Sequence, residues 1–144
     1  MIISDPATER FEIAIPVQPQ DIDELGHVSN IVYLRWVQTV AIAHWRSAAT
    51  PAEQAGLVWV VVRHEIDYKH PARAGDTIIA RTWVGTAAGQ MFERHTEILR
   101  QGDRRLLAQA RTLWCPIDAG TGRPTRVEAD IRQRWSVPAV GAGA

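Results

Sequence analysis

The sequence predicts an α+β domain in which one antiparallel sheet curls around a single buried helix. Three observations carry this. A segment from about Ser29 to Ala48 is helical in character and apolar on nearly every face, four strand-like runs follow Gly56, and one more precedes the helix. A helix without a polar face has to be enclosed by other elements. Consecutive strands joined by short turns pair antiparallel, and one helix with one such sheet makes an α+β layer.

The elements read in order as follows. Phe11 to Ile15 alternates apolar and polar residues, the mark of a half-buried strand. A turn-rich stretch from Gln18 to Gly26 leads into the helix, where Ser29 or Asn30 is able to cap. Pro51 and Gly56 punctuate the end of the helix. The strand runs are Leu57 to Tyr68, Asp76 to Val84, Gln90 to Arg100 and Arg105 to Ile117. Gly85 to Gly89 and Gln101 to Asp103 read as the hairpin connections. A turn at Asp118 to Gly122 follows, and Val127 to Trp135 reads as a short terminal helix. On this reading residues 1–136 form a single domain and residues 137–144, small and uncharged, a disordered tail.

Composition narrows the function. The chain has 144 residues, 46% hydrophobic and 22% charged, the balance of a protein with a real core. Its 16 basic and 16 acidic side chains cancel, so no net field draws it to nucleic acid or to an anionic bilayer. No apolar run reaches the roughly 20 residues of a membrane helix. The opening Met1-Ile2-Ile3-Ser4-Asp5-Pro6 has no basic start before an apolar block, so no secretory leader is expected and a reducing cytoplasm is the expected address. Cys115 is the only cysteine, which excludes an internal disulfide and reads as a small buried hydrophobe. His64 and His70 would lie about 20 Å apart along a strand, too far to share a metal, so no metal is expected.

Nucleophile elbows, P-loops and dinucleotide fingerprints are absent from the sequence. The chemistry concentrates instead in Asp21-Ile22-Asp23-Glu24-Leu25-Gly26-His27-Val28-Ser29-Asn30. The first N–H groups of a helix lack intrahelical partners and carry partial positive charge. They polarise a carbonyl placed there and stabilise an oxyanion. A carboxylate just upstream is able to attack the carbonyl carbon or to deprotonate a water. Gly26 permits a close approach or a positive φ. The same residues also suit a purely structural role, with Asp23 or Ser29 capping the helix and Gly26 turning the chain.

The spacing Asp21-x-Asp23-x-x-Gly26-His27-Val28-Ser29-Asn30-x-x-Tyr33 resembles the D-x-D-x-x-G-H-V-N-N-x-x-Y signature of hotdog-fold acyl-CoA thioesterases, the 4-hydroxybenzoyl-CoA thioesterase-like group. Glu65-Ile66-Asp67-Tyr68-x-x-Pro71, Gly75-Asp76 and Asp118-x-x-Thr121-Gly122-Arg123-Pro124 are similar to later, weaker motifs of that family. Ser29 departs from the family's usual asparagine. The resemblance implies a hotdog fold, a homodimer or homotetramer with sites at the subunit boundary, and hydrolysis of an acyl-CoA thioester. No cofactor is implied beyond the coenzyme A of the substrate. It also implies Asp23 as the catalytic carboxylate, the Asn30 amide as the carbonyl-polarising donor and His27 as a contact to substrate or water.

Gly26, Val28 and Tyr33 belong to the same motif and are expected at the substrate, Tyr33 chiefly as support for the helix start. Period-2 alternation puts Val62, His64, Ile66 and Tyr68 on one strand face. There His64 reads first as a satisfied, partly buried side chain and second as part of a neighbouring subunit's site. Lys69, the only lysine, and Arg73 flank the following turn and are candidates for the coenzyme A phosphates. Trp36 and Trp45 on the helix read as core residues. Two other functions fit the same scaffold: an acyl-thioester dehydratase or hydratase built on His27 with a carboxylate, and a non-catalytic acyl-CoA-binding protein.

Overall fold

The structure, a computed structural model, describes residues 5–139. Residues 1–4 of the opening stretch on which the leader expectation rests, and residues 140–144 of the expected tail, lie outside the described residues. Strand β1 (Phe11–Pro16) is followed by helix α1 (Asn30–Ala48), a short helix α2 (Pro51–Gly56) and strands β2 (Leu57–Tyr68), β3 (Thr77–Ala88), β4 (Met91–Arg100) and β5 (Leu106–Asp118), with a last short helix α3 (Ala129–Arg134). The five strands form one antiparallel sheet in the order β1-β3-β4-β5-β2, which is the sheet and helix expected from the sequence. Val137 donates its N–H to the Gly85 carbonyl (2.9 Å) and packs beside Trp135. Among the described residues no helix is long and apolar enough to cross a membrane.

Helix α1 lies on one half of the sheet, against β1, β3 and β4. Val32, Tyr33, Trp36 and Val40 interlock there with Ile78 and Ala80 of β3, Ile98 of β4 and Leu107 and Ala108 of β5. Trp36 is a core residue, as expected, and Cys115 is buried. Enclosure of the helix on all sides is not what one chain achieves. Ile31 is 74% exposed and Ile42 41%, because the β5–β2 half of the sheet extends past the helix and leaves its far flank uncovered.

Two local expectations need correction, and one stretch that the sequence left unassigned is an element. Residues from Pro51 to Gly56 form α2: Thr50 accepts the Glu53 N–H and Glu53 reaches back to the Thr50 N–H, a capping box with proline at the first turn. The β3–β4 connection is only Gly89-Gln90, because β3 continues through Gly85 to Ala88 with a bulge after Val84. Gly85 has no side chain where the Glu93 carboxylate crosses it, and Thr86 donates its N–H to Glu93 Oε1 (3.3 Å). Finally, the register slips between Val61 and Arg63, so Val62 is an extra, bulged residue. His64, Ile66 and Tyr68 do share a face, but with Val61 and Trp59 instead of Val62.

Candidate functional site

The loop between β1 and α1 is pinned at several points before the helix begins. Asp21 is 2% exposed. Its carboxylate accepts the Gln18 N–H (2.9 Å) and pairs with Arg35 on α1 (2.7 Å). Its carbonyl accepts the Ser29 N–H (2.9 Å). Val28 donates to the Ala72 carbonyl (2.9 Å), and His27 bridges to Arg73 across the next segment. The Ala72 N–H donates to the Tyr33 hydroxyl (2.8 Å), and burial pushes the Tyr33 hydroxyl above its ordinary range. Tyr33 stacks edge-on against Trp36 and Tyr68. It therefore clasps the helix start to the chain after β2, which is the supporting role its place in the motif implies.

Between these anchors runs the turn Asp23 to His27. The Asp23 N–H donates to the His27 carbonyl (2.7 Å), and Gly26, at φ +79, supplies the left-handed residue that closes the turn. A side chain at Gly26 would meet nothing, so positive φ and not a close approach is the reason for glycine. Asp23 Oδ1 accepts the N–H groups of Leu25 (2.9 Å) and His27 (3.2 Å). Asp23 Oδ2 has no partner among the described residues. The carboxylate thus holds its own loop through one oxygen and offers the other.

Neither Asp23 nor Ser29 caps the helix. Ser29 occupies the cap position with no side-chain hydrogen bond, and the Asn30 N–H has no partner among the described residues. The first turn contains no acidic residue that would neutralise it. The mouth of a 19-residue helix is therefore an open donor, the arrangement that favours a polarised carbonyl oxygen.

An open cleft of about 510 Å³ brings these groups together. Asp23, His27, Val28, Asn30, Tyr33 and Lys69 all line it, drawn from the loop, the helix start and the end of β2. Val28 contributes from a buried position. Lys69 is exposed and forms no ion pair among the described residues, a free cation at the rim. The other three sequence candidates stand elsewhere. Gly26, expected at the substrate, turns the loop through its positive φ and does not itself line the cleft. Arg73 joins His27 by the backbone bridge and does not line the cleft. His64 lies in mid-strand with Nδ1 against Thr112 Oγ1 (2.9 Å), while its Nε2 is buried without a partner, and burial lowers its pKa. The satisfied histidine of the first reading is thus satisfied at one nitrogen only.

Tyr68 and His70 are cleft residues that sequence reasoning did not assign. The Tyr68 hydroxyl donates to the Asn30 carbonyl (3.2 Å), and His70 Nε2 meets Arg105 (2.9 Å). Tyr68 sat inside a quoted motif, so a signal existed; His70 gave none. The histidine–carboxylate pairs among the described residues, His44–Glu9 and His95–Glu93, lie outside this cleft. The His27 ring has no hydrogen-bond partner among the described residues.

Residues 17–135 match the family model of the thioesterase-like superfamily. The chain belongs to that superfamily. Solved members of this thioesterase-like fold superpose over most of its length. One is a 1,4-dihydroxy-2-naphthoyl-CoA thioesterase from Synechocystis, 19% identical with a TM-score of 0.74, covering 88% of this chain and 95% of that one. Another is a thioesterase from Thermus thermophilus complexed with coenzyme A and Zn, 22% identical at a TM-score of 0.74, with 86% and 95% covered. A putative thioesterase from Pseudomonas aeruginosa is 20% identical, again at 0.74, over 85% and 95%. At such identities the likeness is one of fold, and that fold is the hotdog. No curated protein matches the sequence.

Proposed function

We propose that the protein is an acyl-CoA thioesterase, hydrolysing a thioester to the free acid and coenzyme A. One observation carries this reading: Asp23, whose Oδ2 is unengaged among the described residues, and Asn30, whose N–H is unpartnered among them, line the same cleft at the mouth of α1. The substrate carbonyl oxygen accepts the Asn30 N–H, aligned with the helix dipole, and its charge is stabilised as the tetrahedral centre forms. Asp23 either adds to the carbonyl carbon, giving a mixed anhydride that water then opens, or takes a proton from the water that adds. In both routes the C–S bond breaks, the thiolate of coenzyme A leaves, and the proton lost by water ends on the thiol. His27 contacts substrate or water from the same loop, and Lys69 at the rim faces the anionic end of coenzyme A.

The working unit is a homodimer joined through β2. This strand is an edge of the sheet, twelve residues long, with Val58, Val60 and Val62 exposed along it. An open apolar edge is an unfinished pairing surface. A second copy there also covers the exposed flank of α1. The deciding assay is thiol release over short, medium, long and aromatic acyl-CoAs. Turnover on at least one, lost in Asp23→Asn, supports the reading; tight binding without release over the whole panel would leave a binding protein instead.

A further inference from the structure

Helix α1 starts without the usual support. Ser29 stands at the cap position, and its side chain makes no hydrogen bond to the first turn. A cap side chain accepts first-turn N–H groups, so it would compete with a substrate oxygen for the helix mouth. Leaving the mouth open loosens it, because helix ends without partners fray. A fraying donor is a poor partner for an oxyanion, since its value lies in being aimed before the charge develops. Something other than a cap has to hold Asn30 in place.

Tyr68, the last residue of β2, meets that need. Its hydroxyl donates to the Asn30 carbonyl (3.2 Å), a bond between residues 38 apart in the chain. It is the only side-chain hydrogen bond to Asn30 among the described residues. A helical carbonyl keeps a lone pair after its intrahelical bond, so the contact takes nothing from the helix. It also leaves the N–H groups of the mouth open.

The hydroxyl is held from two sides. Its ring lies edge-on to Tyr33 (5.3 Å), and the Tyr33 hydroxyl is fixed by the Ala72 N–H (2.8 Å). The register of β2 on β5 sets Tyr68 opposite Ala108, at the strand end that reaches the helix mouth. Burial pushes the Tyr68 hydroxyl above its ordinary range, so it stays a protonated donor through neutral pH. The two tyrosines divide the work. Tyr33, 2% exposed, clasps the helix to the chain after β2, while Tyr68, 42% exposed, lines the cleft with Asp23 and Asn30.

Resting on the thioesterase reading above, we infer that Tyr68 is a positioning residue: its hydroxyl anchors the Asn30 carbonyl so that the Asn30 N–H stays aimed at the oxygen on which charge develops. In this role it touches neither the reacting carbon nor the attacking water and acts only through Asn30. A misplacement of about 1 Å at a reaction centre is worth about a hundredfold in rate.

The test uses Tyr68→Phe on the full chain, which removes the hydroxyl and keeps the ring against Tyr33. The ring is half exposed, so folding survives the change. With the best acyl-CoA of the thiol-release panel, kcat is expected to fall by about tenfold or more while KM stays within about twofold. A spectroscopic readout separates aim from mere support. In the Asp23→Asn background, which stops turnover, the Asn30 N–H polarises the bound thioester carbonyl and lowers its infrared stretch against free acyl-CoA. Adding Tyr68→Phe is expected to return the stretch most of the way to the free value, with thermal unfolding unchanged. An unchanged kcat, a rise in KM alone, or a lowered stretch that survives the substitution overturns the assignment and leaves the thioesterase reading standing. If no thioester in the panel is hydrolysed, that reading falls, and the stretch of the thioester bound to the otherwise unaltered chain decides by itself. A lowering that Tyr68→Phe abolishes still supports the anchor. A stretch like that of free acyl-CoA, or no binding, overturns both.

Discussion

Asp23 and His27 close a five-residue turn on each other: the Asp23 N–H donates to the His27 carbonyl at 2.7 Å, and Asp23 Oδ1 accepts the His27 N–H at 3.2 Å. The loop is therefore held by groups that an asparagine also possesses. Asp23→Asn is expected to fold normally and to lose thioester hydrolysis by orders of magnitude, since the amide cannot act as base or nucleophile. Thermal unfolding beside a thiol-release assay checks both halves. Near wild-type turnover on the best substrate would remove Asp23 from the chemistry.

Asp21, two residues earlier, is the internal control. Its carboxylate is buried against the Gln18 N–H and the Arg35 guanidinium. Asp21→Ala is expected to cost about 1–3 kcal/mol of stability by orphaning that N–H, with turnover per folded molecule reduced less than in Asp23→Asn. Denaturant unfolding and active-site-normalised kinetics give the comparison.

Tyr33→Phe leaves the buried Ala72 N–H without an acceptor while keeping the ring contacts with Trp36 and Tyr68. A loss of about 1–3 kcal/mol is expected. A variant as stable as wild type would show that Ala72 finds another partner.

Stability should also fall in acid through His44. Burial, with Arg94 beside it, pushes the imidazole down to about 4, against the opposing pull of Glu9. A depressed folded pKa means that the neutral form is the folded one. The contribution is full above about pH 6.5, the unfolded value, and is lost as pH falls toward 4, by about 3 kcal/mol at most. His44→Gln should flatten the unfolding free energy across that window; an unchanged slope would assign the acid sensitivity elsewhere.

The dimer is tested at its edge. Val60→Lys combined with Val62→Lys puts charge on β2 where the pairing needs apolar contact. Sedimentation should report the 16.1 kDa monomer, with hydrolysis lost in parallel. A double variant that remains a fully active dimer would move the interface away from this strand.

Much of this protein is written in short-range patterns. The α1 boundaries, the β2 span and the turn from Asp21 to Asn30 all follow from periodicity and turn chemistry within a dozen residues, so they were legible without coordinates. Asp23, His27, Val28, Asn30, Tyr33 and Lys69 were legible as a group because five of them are neighbours along one loop and helix start. Tertiary structure alone decided the rest. The bulge at Val62 depends on β5, Tyr68 reaches the helix mouth only because β2 ends beside it, and Arg73 and His64 fall away from the cleft for the same reason. An aromatic-walled cavity at the far end of α1 gathers Trp45, Trp59, Phe92, Trp114 and Trp135 from five separate elements or their flanks. No local period links such distant positions; only the register of the sheet and the seat of the helix bring them into one wall.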